Sequence, residues 1–268
     1  MSAEDRETAS MLAHEDRGDR FQSIVNLIGP DVSSILDLGC GIGSVASLLT
    51  DRFPSTLIVG LDRSRYLLEE LKSRRMKPNI LLVRAEAPIL PFRSESFDLV
   101  VAVQVLHEIF HFKGEQALLA TIENAYDLLR DGGKFIVLDH RNPGWTQISV
   151  RLSGDLLKKL HYFELRFRPR KISFEILDDR WVRMSMRDFY DFVTKIWALD
   201  TSLEEQEMKE THTPFTEHEF ANFCRKAGFK INHTASITSI DGHLKHYRID
   251  IKTNSRLPER HFIIAVEK

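Results

Sequence analysis

Ile35-Leu36-Asp37-Leu38-Gly39-Cys40-Gly41-Ile42-Gly43-Ser44 is the stretch from which the rest of the chain is read. A short apolar run stops abruptly at glycines on alternate positions, which is the pattern of a buried strand turning into a helix around a ligand. A side chain at Gly39 or Gly41 would hold the backbone away from a bound molecule, and glycine accepts the positive φ of a tight turn. The helix expected after it, from Ser44 to Arg52, opens with unpaired N–H groups that favour a carboxylate or another anion nearby.

A second apolar run, Leu57-Ile58-Val59-Gly60-Leu61, ends at Asp62. A parallel strand places a carboxylate there to accept both ribose hydroxyls of a nucleoside. Ile80-Leu81-Leu82-Val83 leads into Arg84-Ala85-Glu86-Ala87-Pro88-Ile89-Leu90-Pro91-Phe92, and Ser96-Phe97-Asp98-Leu99-Val100-Val101-Ala102-Val103-Gln104 follows. Leu128-Leu129-Arg130-Asp131-Gly132-Gly133-Lys134-Phe135-Ile136-Val137-Leu138-Asp139 reads as a helix end, a Gly-Gly turn and a buried strand.

In this order and spacing the five motifs resemble the class I S-adenosylmethionine-dependent methyltransferases, most closely the broad methyltransferase type 11 group. The resemblance covers residues 20–140, with a tail over 214–268. It implies an α/β, Rossmann-like, doubly wound seven-stranded sheet, mostly parallel with an antiparallel C-terminal strand. It implies S-adenosyl-L-methionine as cofactor and S-adenosyl-L-homocysteine as product. Carried over by motif, Asp37, Gly39 and Gly41 take the methionine end of the cofactor, Asp62 the ribose, Arg63 and Leu61 the border of the adenosine, and Ala85 and Glu86 the adenine edge. Gln104 falls near the sulfonium. Arg84 departs from the pattern, since the family usually has an acidic residue just before the Ala-Glu pair.

The bland readings are that Asp37 caps the turn and Asp62 the next helix. Cys40 is read as a small filler, because no basic partner is evident near it in sequence. The glycines at 39, 41 and 43 do not follow Gly-x-Gly-x-x-Gly, which weighs against a nicotinamide-dependent oxidoreductase. A non-catalytic S-adenosylmethionine-binding regulatory or partner protein stays open, because fold does not decide turnover.

Strand and helix patterns alternate, as a parallel sheet covered on both faces requires. Phe21, Ile24, Val25, Leu27 and Ile28 have helical spacing and stop at Gly29-Pro30. The core is expected over 1–140 and 212–268, with 141–211 as a mainly helical, aromatic-rich substrate or lid insertion. Leu152, Leu156, Leu157 and Leu160 share one helical face there, and Phe189, Phe192, Val193 and Ile196 another. The core resumes at a capping box, Thr216 to Glu219, whose helix stops at Gly228. Strands Ile231–Ile240 and His261–Val266 are expected to form a terminal hairpin with a polar connection, Asp241 to Glu259.

An activated methyl needs little beyond alignment, and a base where the acceptor is a hydroxyl or a protonated amine. His107 and His140, just past the fourth and fifth strands, are the candidate catalytic residues. Glu108, His111 and His212 are further candidates, and Tyr162 and Trp181 are candidates for acceptor contacts. Histidine suits proton transfer near neutral pH; the plain alternative is that His107 only packs its helix. The basic cluster Arg166, Arg168, Arg170 and Lys171 reads as a solvated face or an anion site.

The net charge of −2 gives no global argument for nucleic acid. Gln104-Val105-Leu106-His107 stands where enzymes that methylate base amines commonly carry Asn-Pro-Pro-Tyr. Both points favour a small-molecule acceptor. Two cysteines far apart in sequence argue against a disulfide framework or structural zinc, and no metal ligand set is read. A polar opening, Met1-Ser2-Ala3-Glu4-Asp5-Arg6-Glu7, and the lack of a long apolar run lead to the expectation of a cytoplasmic protein with at most peripheral membrane contact. Oligomeric state is not legible.

Overall fold

The computed structural model describes residues 20–74, 77–177, 180–253 and 256–268; the polar opening Met1–Glu7 lies outside them. The elements run α1 (Arg20–Val25), β1 (Ser34–Leu38), α2 (Ser44–Arg52), β2 (Leu57–Asp62), α3 (Arg65–Ser73), β3 (Ile80–Arg84), β4 (Phe97–Val103), α4 (Leu106–Lys113), α5 (Glu115–Leu128), β5 (Leu129–His140), β6 (Gln147–Arg151), α6 (Gly154–Arg166), β7 (Phe174–Ile176), β8 (Trp181–Ser185), α7 (Met186–Lys195), α8 (Glu204–Glu207), α9 (Glu217–Lys226), β9 (Lys230–Ile237), α10 (Asp241–Tyr247), β10 (Asp250–Lys252) and β11 (His261–Glu267). A short 3-10 turn, Ile196–Ala198, follows α7. The chain forms two compact units, one of Met1–Asp139, Glu217–Ala235 and Phe262–Lys268, the other of His140–Thr216 and Ser236–His261.

The first unit is built on a seven-stranded sheet in the order β3-β2-β1-β4-β5-β11-β9, mostly parallel with one antiparallel strand. β1 lies between β2 and β4 and pairs with both in parallel. All five of its residues are buried, as an apolar strand covered on both faces must be. From β1 the chain runs outward through β2 to β3 and then crosses back to β4 on the other side of β1, so the carboxyl ends of β1 and β4 flank a topological switch point, the place where such sheets bind ligands. The Gly132-Gly133 pair is not a turn before β5 but an irregularity inside it. Phe97 is opposite Leu129 and Leu99 opposite Lys134, so β5 carries extra residues between those pairs. Gly228 ends α9 at φ +100°, with the Phe229 N–H returning to the Cys224 carbonyl.

The second unit contains the expected helices α6 and α7. It also carries a four-stranded sheet, order β10-β6-β8-β7, that the periodicity did not disclose. Its pairs are antiparallel. Ile148, Val150, Val182 and Met184 point from this sheet into a core with Leu160, Phe163, Phe189 and Phe192. The stretch expected as a polar connection, Asp241 to Glu259, supplies α10 and β10, and β10 pairs with β6. Nearly all of α7 is buried, including Asp188, Asp191 and Lys195. Those charges are tolerated because each is paired, Asp188 and Asp191 with Arg170 and Lys195 with Glu207.

Candidate functional site

The loop after β1 is held by backbone and by one carboxylate. The Gly39 and Cys40 N–H groups donate to the Leu61 carbonyl at 2.8 and 3.0 Å, tying the loop to the end of β2. Asp62, at that end, accepts the Gly41 N–H on Oδ2 at 2.9 Å and the Ser64 N–H on Oδ1 at 2.8 Å. Ser64 in turn caps α3, accepting from the Leu67 N–H. The cap of α3 is thus Ser64 rather than the Asp62 of the bland reading; Asp62 holds the Ser64 N–H and fixes the glycine loop. Gly39 sits at φ +74°, and a Cβ there would lie 2.5 Å from Val105 Cγ2. Only glycine leaves the loop this close to the residue after Gln104.

Asp37 is the penultimate residue of the buried β1, beside this loop. Its side chain is buried, and Oδ2 has no hydrogen-bond partner. Burial, then the charge of Asp62, push its carboxyl up to about 7, against the pull of the Ala46 N–H. Such an acid is poised to ionise when a cation arrives. Cys40 is buried and its thiol is pushed far up, first by burial and then by Asp37 and Asp62, which fits an inert filler.

At the end of β3, the Ala85 N–H donates to the Asp62 carbonyl at 3.2 Å. Glu86 lies 3.5 Å from Arg63 and 2.9 Å from Lys113, and the Lys113 hydrogen bond, with the nearby charges of Lys113 and Arg63, holds its carboxyl below the usual range. Lys113 also donates to the Ala87 carbonyl. Arg84, the departure from the motif, turns its guanidinium to the Arg63 carbonyl at 3.2 Å. Gln104 takes φ +51° as β4 ends, its N–H held by the Leu138 carbonyl at 2.8 Å.

His107 occupies the first turn of α4, buried, with Nδ1 2.7 Å from Asp139 Oδ1. Asp139, fully buried at the end of β5, accepts the Leu106 and His107 N–H groups on its other oxygen at 3.0 and 3.1 Å. With two backbone donors on the carboxylate, Asp139 is the acceptor for Nδ1–H, which leaves the basic lone pair of neutral His107 on Nε2. Asp139 and Lys113 were not read as site residues. Asp139 had a signal: like Asp62, it follows directly on an apolar strand run.

His140 belongs to the second unit. It is buried there, stacked on His212 at 4.2 Å and 6° and tilted against His261 at 4.9 Å. His212 Nδ1 lies 3.1 Å from Thr194 Oγ1 and Nε2 3.5 Å from Glu207. Donor atoms of Glu207, Glu210 and His212 gather within 4.8 Å, a set with metal-ligand chemistry. The buried Lys195 ammonium, 2.7 Å from Glu207 and 3.7 Å from Glu210, already supplies positive charge to that pair. The basic cluster divides: Arg170 pairs inward with Asp188 and Asp191, while Arg166 and Tyr162 share Glu204.

Residues 35–133 match the family model described as a methyltransferase domain. The phthiotriol/phenolphthiotriol dimycocerosates methyltransferase of Mycobacterium tuberculosis is 34% identical over 129 residues, 48% of this chain and 44% of that protein. The ubiquinone/menaquinone biosynthesis C-methyltransferase of Desulfotalea psychrophila is 31% identical over 114 residues, 42% of this chain and 44% of that protein. The chain thus matches less than half the length of these relatives. A solved S-adenosylmethionine-dependent methyltransferase from Mesorhizobium loti is similar in structure, with a TM-score of 0.59 at 16% identity over 94% of this chain and 99% of that one. Residues 35–133 are therefore a methyltransferase domain, and they are carried on the class I S-adenosylmethionine-dependent methyltransferase fold.

Proposed function

We propose that the chain is an S-adenosylmethionine-dependent methyltransferase acting on a small-molecule acceptor. The observation that carries the reading is the clamp of Asp62 on Gly41 beside the buried, unpartnered oxygen of Asp37. A loop without side chains and an acid awaiting a cation fit a cofactor with an amino acid at one end and a nucleoside at the other. Asp37, Gly39 and Gly41 would hold the amino-acid end, Asp62 the ribose, and Arg63, Ala85 and Glu86 the adenine side. Gln104 would stand near the sulfur. Bound there, the cofactor supplies a methyl group already activated on a sulfonium.

The remaining work falls to the chain's own groups. His107, oriented through Nδ1 by Asp139, accepts a proton from the acceptor at Nε2. His140 is the alternative base. The insertion leaves the core immediately after Asp139, and we assign to it the choice of acceptor and the exclusion of water. The relatives named above act, by their names, on phthiotriol and phenolphthiotriol dimycocerosates and in ubiquinone and menaquinone biosynthesis, which supports a small-molecule acceptor. Among the described residues no helix is long and apolar enough to cross a membrane.

The test is incubation of the purified chain with methyl-labelled S-adenosylmethionine and a cell extract. Label in low-mass organic extracts is expected. Label confined to RNA or protein contradicts the small-molecule reading.

A further inference from the structure

Lys252 of β10, Ser149 of β6, Arg183 of β8 and Glu175 of β7 are successive register partners across the four-stranded sheet. Their side chains therefore rise from one face, and Gln147, two residues from Ser149, shares it. The alternate residues Ile148, Val150, Val182 and Met184 fill the core on the other side. Lys252 leans across the sheet, its ammonium 4.0 Å from the ring centroid of Trp181. A cavity of about 380 Å³ opens on this face, lined in part by Gln147, Ser149, Arg183, Lys252 and Thr253.

A guanidinium, an ammonium, hydroxyls and an amide around one concavity suit an anion with several oxygens. The volume exceeds what a bare oxyanion fills and falls within the range of small-ligand sites. The competing carboxylate is Glu175, 3.1 Å from Arg183, with both side chains more than half exposed. Such exposed pairs are weak, and a dianion can displace this one. Asp250 lies on the same face, opposite Arg151. Those two carboxylates disfavour a polyanion or an anionic bilayer, and none of the exposed large apolar side chains lines the cavity.

We propose that this cavity binds a soluble phosphate monoester, with Arg183 and Lys252 flanking the phosphate, Ser149 beneath it and the organic part in the remaining space. The site does not depend on methyl transfer.

The full chain is titrated by NMR with ribose 5-phosphate and glycerol 3-phosphate at constant ionic strength. The readout is the indole resonance of Trp181, assigned through Trp181→Phe. Saturable shifts are expected with at least one ester. Arg183→Gln is expected to weaken binding about tenfold or more, and Glu175→Gln, which frees Arg183, to strengthen it by about two- to fivefold. Circular dichroism should match wild type in both. Absence of a saturable shift, an unchanged affinity in Arg183→Gln, or an equal response to inorganic phosphate overturns the proposal. Tighter binding of a single-stranded oligonucleotide or of phosphatidylglycerol vesicles overturns it as well.

Discussion

Asp62 reaches back across the turn to accept the Gly41 N–H at 2.9 Å, so the carboxylate at one strand end shapes the loop at the end of its neighbour. Its other oxygen takes the Ser64 N–H, and both oxygens keep a lone pair beyond these bonds. One side chain thus orders the loop and, on our reading, presents itself to a ribose.

Gly39→Ala should destabilise the first unit without a change in sheet content. The added Cβ would meet Val105 Cγ2 at 2.5 Å on a backbone at φ +74°. A loss of about 1–3 kcal/mol is expected in urea unfolding. Stability equal to wild type would show that the loop is free to move off Val105.

The pH dependence of Asp37 has a defined sign. Its carboxyl is pushed up to about 7 in the fold, so between about pH 4 and pH 7 the folded chain keeps a proton that the unfolded chain has released. Its contribution to stability is present below that window and declines as pH rises through it. Asp37→Asn should flatten this part of the pH–Tm profile. Binding of a cationic ligand near pH 6 should release a proton, visible as a calorimetric enthalpy that varies with the buffer. A buffer-independent enthalpy would contradict the assignment.

Asp139→Asn keeps the shape of the side chain and alters which ring nitrogen of His107 carries the proton, since Nδ1 lies 2.7 Å from Oδ1. Once an acceptor is known, turnover is expected to fall by about 10²-fold or more in Asp139→Asn and in His107→Ala. Cofactor affinity should change little, and the low-pH limb of the rate profile should shift in Asp139→Asn. Normal turnover in His107→Ala, with loss in His140→Ala, would move the base to His140.

Asp98 provides a contrast at the opposite end of β4. It accepts from the Ser33 and Ser34 N–H groups and from Arg130. Burial alone would raise its carboxyl, but these bonds pull it well below the usual range. Its stabilisation is therefore present above about pH 4 and lost as the solution is acidified further. Asp98→Ala should cost about 1–3 kcal/mol near neutral pH and leave ligand binding at the glycine loop unchanged. A binding defect would mean that the two ends of β4 are coupled.

The first unit was legible because its central strands are buried on both faces and read as unbroken apolar runs that stop at polar residues. Asp37, Asp62 and Gln104 stand at those stops. The pairing of His107 with Asp139 was hidden, because it depends on β4 and β5 lying side by side. In the second unit, β7 and β10 are three residues each, too short for alternation to show, and β10 is far in sequence from its partner β6. The helical spacing of Phe189, Phe192, Val193 and Ile196 gives no sign that Asp188, Asp191 and Lys195 of α7 are also buried, each against an opposite charge.

The most direct measurement is calorimetric titration of wild type and Asp62→Ala with S-adenosylmethionine and S-adenosylhomocysteine, with NAD and NADH as controls. Micromolar binding of the first pair alone, weakened about tenfold or more in a folded Asp62→Ala, is the expected result. Binding of neither, or equal affinity in the variant, would contradict the assignment of this loop to the cofactor.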